Sequence, residues 1–132
     1  MDLQYPEVRI VNDVILIGPD LFAVVLDLVG VSDALRFETE PNGPPNVPEF
    51  GSARTFDGFR GLYAMSPYAH VRDGTPYPAV VFLTGANDPR VAPWHSTKMT
   101  ARVQAASNSG RPVLLRIDYE AGHGSGLNRS QN

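Results

Sequence analysis

Three runs of apolar, largely β-branched positions punctuate the chain: FAVVLDLVGV over residues 22–31, AVVFL over 79–83 and VLLRI over 113–117. Runs this continuous fit strands covered on both faces, as in a parallel sheet, better than half-exposed strands, whose polar and apolar positions alternate. Between the second and third runs the period changes. Residues 93–106 read as a helix, with Pro93 suited to its first turn and His95, Met99, Val103 and Ala106 on one face. Ser107-Asn108-Ser109-Gly110 then stops it. A strand, loop, helix and strand in this order predict a right-handed βαβ unit and an α/β fold. The opening run over residues 8–17, VRIVNDVILI, has no clean period and is read as a strand. Residues 41–59 carry five prolines and glycines in their first eight positions and are expected to form a long excursion with little regular structure.

Composition narrows the class. A chain of 132 residues suits one domain, burying about two thirds of its surface, and is short for two. A net charge of −3 gives no footprint for nucleic acid or anionic lipid, so neither is an expected partner. With no cysteine there is no disulfide framework and no thiolate zinc site, and His70, His95 and His123 are too far apart for a local metal motif. No metal or cofactor is expected. No segment reaches the ~18 apolar residues of a spanning helix, and the first residues lack the pattern of a secretory leader. The expectation is a soluble protein of the cytoplasm or periplasm.

The candidate chemistry sits just past the second and third runs. In doubly wound sheets, reactive groups gather in the loops after the carboxyl ends of the strands. Asp88 follows Leu83 through Thr84-Gly85-Ala86-Asn87, and His123 follows Ile117 in a loop containing Gly122, Gly124 and Gly126. If the two strands are parallel, both side chains emerge at one edge. An aspartate holding one ring nitrogen of a histidine fixes its tautomer and stabilises the imidazolium formed during acyl transfer. The imidazole, with an ordinary pKa near ~6.5, then serves as general base and later as general acid. The order acid, then histidine, agrees with the α/β-hydrolase order serine, aspartate, histidine. Taken singly, an aspartate before proline is usually a turn former and a histidine among glycines usually just exposed. Trp94 and His95, just beyond the acid loop, are read as helix packing for one and a partly exposed cap for the other.

The string YPAVVFLTGANDPRV over residues 77–91, followed by HSTKMTARVQ over 95–104 and AGHG over 121–124, closely resembles the C-terminal catalytic region of the prolyl oligopeptidase family of serine peptidases, above all its bacterial members. Upstream, Pro19-Asp20-Leu21-Phe22, Gly30-Val31-Ser32-Asp33, Glu49-Phe50-Gly51 and Tyr63-Ala64-Met65-Ser66-Pro67-Tyr68 fit the same family in the same order. The likeness runs over residues 19–126, leaving residues 1–18 as a divergent segment of one partial α/β-hydrolase catalytic domain, 1–132. The resemblance implies Asp88 as triad acid, His123 as triad base, Arg90 as a ligand of a substrate backbone carbonyl, and Val31, Phe50 and Val91 as lining for the residue before the cut. It implies a peptide or small ester substrate. Asn46 stands where proline-specific members carry a tryptophan, so a strict preference for proline is not implied.

The departures are as informative. The family's nucleophile sits on a Gly-x-Ser-x-Gly elbow one helix before the Pro-Asp-Leu-Phe segment, which lands near Tyr5, yet residues 1–14 hold neither serine nor glycine. Ser125 is too close in sequence to His123 to meet its ring in the usual geometry, and Ser32 and Ser66 match non-catalytic family positions. The three strands amount to an incomplete sheet with open edges and one bare face, for which self-association is expected. The reading is therefore an acyl hydrolase by descent that supplies aspartate and histidine and is weak or inactive alone. The alternatives are a non-catalytic peptide-binding or assembly module, and an esterase using an unrecognised serine.

Overall fold

The structure, a computed structural model, describes residues 18–123. The expectations for residues 8–17 and for Ser125 therefore lie outside the described residues. Strands β1 (Val24–Leu28), β2 (Ala79–Gly85) and β3 (Val113–Asp118) form a parallel sheet in the order β1-β2-β3. Val24 lies opposite Ala79 and Leu28 opposite Leu83, while Val80 lies opposite Val113 and Gly85 opposite Asp118. All three strands thus end at one edge. Each matches an apolar run of the sequence, trimmed at its ends where the chain leaves the ladder.

The connection from β1 to β2 holds four short helices, α1 (Ala34–Phe37), α2 (Val47–Phe50), α3 (Phe56–Ala64) and α4 (Pro67–His70), together with a 3₁₀ turn at Pro44–Asn46. The expectation of little regular structure over residues 41–59 is corrected here. Proline fits the first turn of a helix, where its missing N–H has no intrahelical partner to lose, so Pro44 and Pro48 open short helical turns. Thr55 caps α3 by accepting from the Gly58 amide at 3.2 Å.

The connection from β2 to β3 is the single helix α5 (Trp94–Ala106), which lies on those two strands. Its buried face, His95, Ser96, Met99, Thr100, Val103 and Ala106, is the stripe legible in the sequence, widened by two positions, Ser96 and Thr100. Met99 and Val103 meet Val80, Phe82 and Val113 of the sheet, and Tyr77 closes the cluster beside Val71. Burying side chains of this size stabilises by about 1.5–3 kcal/mol each before their lost freedom is counted.

The opposite face is bare among the described residues. Val24, Leu26 and Leu28 of β1 and Leu114 of β3 are more than half exposed, although the sequence runs read as strands covered on both sides. The same apolar run therefore shows an alternating burial pattern, because only one face of the sheet has a helix on it. Among the described residues no helix is long and apolar enough to cross a membrane.

Candidate active site

The acid loop begins where β2 ends. Gly85 is required there by close approach: a Cβ on it would stand 2.2 Å from the carbonyl oxygen of Gly122 and 2.6 Å from that of Ala121. With only hydrogen at that position, the loops after β2 and β3 lie against each other and are laced together. The Ala86 amide donates to the Asp118 carbonyl at 2.8 Å, the Asn87 amide to the Ala121 carbonyl at 3.1 Å, and the Asn87 side chain to the Tyr119 carbonyl at 2.9 Å. Asp118 turns the second loop by accepting the Glu120 and Ala121 amides on Oδ1. The two loops behave as one unit.

That unit brings Asp88 and His123, 35 positions apart, into contact. His123 Nδ1 lies 2.8 Å from Asp88 Oδ2 and 3.1 Å from Oδ1. The Arg90 and Val91 amides also donate to Oδ1, at 2.8 and 3.0 Å. The Asp88 side chain is fully buried and the His123 side chain is 32% exposed. Burial on its own raises a carboxyl pKa, but the Val91 and Arg90 amides and His123 together outweigh it and hold Asp88 below the usual aspartate value. An ionised carboxylate only accepts, so the facing Nδ1 carries a proton, and in the neutral ring Nε2 keeps its lone pair. A neutral imidazole whose Nε2 meets no described residue is equipped to take a proton from a nucleophile.

The other residues singled out by sequence are less tightly gathered. Arg90 contributes its amide to Asp88, and its side chain is exposed with no described residue taking its guanidinium. Val91 is half-buried and contributes its amide likewise. Phe50 is 39% exposed and shares a depression with Asn46, Ala34, Phe37, Val47 and Leu62, which Val31 and Val91 do not line. Val31 follows a bend of unusual geometry: Val29 has φ of +50°, a left-handed conformation that costs a β-branched residue about 1–2 kcal/mol. Its amide still donates to the Leu83 carbonyl at 2.9 Å, so the chain turns off the sheet edge directly after the last ladder bond.

One expectation fails outright. His95, read with Trp94 as a helix-packing residue and a partly exposed cap, is completely buried. Trp94, which stacks on its ring with centroids 3.9 Å apart, is only partly buried. His95 Nδ1 accepts from the Asp33 amide at 3.1 Å, and Nε2 lies 2.6 Å from Glu40 Oε1. That second contact is close but poorly aligned, which leaves both atoms without a well-formed hydrogen bond. Burial lowers the His95 pKa to about 4, Asp33 opposing and Lys98 reinforcing the shift, so the ring is neutral at pH 7. Sequence reasoning also passed over Asp27, in the middle of β1. It is 2% exposed, accepts among the described residues only the Gly30 amide, at 3.1 Å, and has one oxygen that none of them meets, and burial pushes its pKa up to about 6.

Comparison with known proteins bears on the chain's family and fold. The chain is 39% identical over 114 residues to a prolyl endopeptidase of Elizabethkingia miricola and 37% identical over 116 residues to one of Dictyostelium discoideum, covering 86% of this chain in each case. It covers 16% and 15% of those relatives, so it spans about a sixth of their length. A solved prolyl endopeptidase structure superposes with a TM-score of 0.81 at 35% identity, over 86% of this chain and 17% of that one. Oligopeptidase B of Leishmania major gives 0.79 at 29% identity, over 85% and 16%. Such an open parallel sheet with flanking helices matches the α/β-hydrolase-like fold of those structures. The family profile described as "Prolyl oligopeptidase family" matches residues 11–132, and the chain belongs to that family of serine peptidases.

Proposed function

We propose that Asp88 and His123 are the acid and base of a serine-type acyl hydrolase site acting on peptide or small ester bonds. The observation that carries this reading is the 2.8 Å contact between His123 Nδ1 and a buried, triply supported Asp88, at the shared edge of two parallel strands. His123 Nε2 would accept the nucleophile's proton and return it to the leaving group, while Asp88 holds the ring and offsets the charge of the imidazolium. Arg90, exposed beside this pair, takes a backbone carbonyl of the substrate through its fork of donors, and Val31, Phe50 and Val91 are the side chains proposed to meet the residue before the cut, of which Phe50 lines a pocket with Asn46. With Asn46 in place of an aromatic platform, that pocket has no strict requirement for proline.

The sequence contains no Gly-x-Ser-x-Gly elbow. Ser32, Ser66 and Ser96 are each buried, with Ser66 Oγ accepting from the Ala34 amide. In this reading the nucleophile is not among these residues. The chain alone then turns over little, since losing a triad serine typically costs on the order of a millionfold. The chain represents the C-terminal part of a bacterial-type catalytic domain, works in an aqueous compartment such as cytoplasm or periplasm, and self-associates because sheet edges and one face are left uncovered. A fluorophosphonate probe read out by intact mass tests the central point. No serine is expected to be labelled, and stoichiometric labelling of any one of them, abolished in His123→Ala, would establish an active esterase instead.

A further inference from the structure

The dipeptide Asn87-Asp88 meets the loop after β3 at every second position. The Asn87 side chain donates through Nδ2 to the Tyr119 carbonyl at 2.9 Å, the Asn87 amide donates to the Ala121 carbonyl at 3.1 Å, and Asp88 Oδ2 lies 2.8 Å from His123 Nδ1. A carbonyl only accepts, so the end of the Asn87 side chain that faces Tyr119 is its NH2 group. Two ties, at 119 and 121, thus precede the functional contact at 123. The side chains of that stretch offer little anchorage of their own. Tyr119 is 77% exposed and Glu120 is exposed, which leaves Ala121, 3% exposed, as the one between Asp118 and Gly122 that packs. The Asp118 carboxylate closes the turn from within, on the Glu120 and Ala121 amides, whereas the Asn87 side chain ties that turn to the acid loop, 32 positions earlier in the chain.

We propose that Asn87 is a positioning residue for His123: its side-chain amide holds the turn at Tyr119 against the acid loop, so that the dipeptide bearing the acid also sets where the base arrives. This deepens the acyl-hydrolase reading and rests on it. With residues 119 and 121 fixed on the same two residues that carry the carboxylate, the imidazole is delivered to Asp88 and its Nε2 is held to one direction. Accuracy of this kind matters, because displacing a reacting group by ~1 Å can cost about 10²-fold in rate. Opening of the loop breaks the contacts at 119, 121 and 123 together. Removing the donor at 119 therefore raises the population in which His123 has left Asp88 by the net worth of one hydrogen bond, a factor of about 2 to 10. The opposite end of β3 supplies a matched contact for comparison: Gln104, also exposed, donates through Nε2 to the Val113 carbonyl at 2.8 Å. The chemistry is the same, amide to carbonyl, but it lies at the far end of the strand from His123.

Exchange of the His123 Nδ1–H proton with water, measured by NMR on the full chain, tests this, because that proton is released when the ring leaves Asp88. In Asn87→Ala the exchange is expected to accelerate about 2- to 10-fold. Asn87→Asp, which keeps the size of the side chain but loses the donor, is expected to accelerate it at least as much. In Gln104→Ala the exchange is expected to stay at the native rate, although an equivalent hydrogen bond is lost. A contact that serves stability alone predicts otherwise, since the ring proton would then follow overall unfolding and respond alike to both losses. A native rate in Asn87→Ala, or equal acceleration in Asn87→Ala and Gln104→Ala, would overturn the proposal. If Asn87→Ala does not fold, Asn87→Asp set against Gln104→Ala decides. The underlying pairing is checked with Asp88→Asn. A ring proton whose protection survives that change, or that has none in the native protein, removes the acid-base reading together with the positioning role, whereas protection that depends on Asp88 but not on Asn87 sinks the positioning role alone.

Discussion

Asp88 and Asp27 are both buried aspartates close to the same sheet, and they are shifted in opposite directions. Asp88 receives two loop amides and an imidazole nitrogen and is held below its ordinary pKa. Asp27 receives one amide, keeps an oxygen that no described residue meets and rises to about 6. The two histidines that meet carboxylates differ in the same way. His123 is at the rim, with one nitrogen occupied and no described residue on the other, whereas His95 is enclosed and stacked under Trp94, with Nδ1 accepting an amide and Nε2 close to Glu40 but poorly aligned with it. The residue types are the same in each comparison. Donor supply and solvent access decide which group is poised for proton transfer and which serves the fold.

The widest separation between rim and interior should come from truncating each imidazole. His95→Ala removes a fully buried ring and leaves the Asp33 amide and Glu40 without their partner, so it should cost about 4 kcal/mol. His123→Ala should cost no more than about 1 kcal/mol, since its side chain is partly solvent-exposed and Asp88 keeps both amides. Urea denaturation of the two variants checks the ordering, and equal losses would erase the distinction drawn between the pairs.

Next in size is Gly85→Ala. A methyl group pressed against the carbonyls of Gly122 and Ala121 must push the two loops apart, with an expected loss of about 3 kcal/mol and of the His123 to Asp88 contact. Thermal melts together with the ring N–H proton of His123 report both effects.

Asp27→Asn tests the interior alone. A carboxyl raised from 3.8 to about 6 binds more protons folded than unfolded, so it contributes stability below pH ~4 that is lost as pH rises through about 6. Replacing it with a neutral amide should therefore stabilise the protein at pH 7 by about 2 kcal/mol and change little at pH 4. For Asp88 the sign is opposite. Its depressed pKa contributes stability above the unfolded aspartate value, lost as the pH falls through the folded one, so Asp88→Asn should cost stability at pH 7 and progressively less in acid. The smallest effect is expected for Val29→Gly, which relieves the left-handed backbone at the end of β1 and should gain up to about 1 kcal/mol, net of glycine's extra freedom when unfolded.

Much of this was legible in the chain. Three apolar runs located the three strands, and the helical spacing of His95, Met99, Val103 and Ala106 located the covering helix. Two loops following parallel strands were enough to place Asp88 and His123 together, because strand direction fixes which loops share an edge. The short helices after Asn42 were hidden because proline marks both a break and a helix start. Glu40 carried no local signal at all. Its partners, Ala92 and His95, are 52 or more positions away, and no periodicity within one element announces a contact between two. The buried setting of His95 could have been taken from its own helical stripe, which it opens, had the stripe been weighed above its nearness to the loop.

The most direct test is the protonation pattern of the His123 ring, read from its nitrogen-15 shifts in the native protein and in Asp88→Asn. In the neutral ring the proton is expected on Nδ1, and this preference should be lost when the carboxylate becomes an amide. A ring protonated on Nε2 in the native chain, or one indifferent to the Asp88→Asn change, would contradict the pairing on which the acyl-hydrolase reading stands.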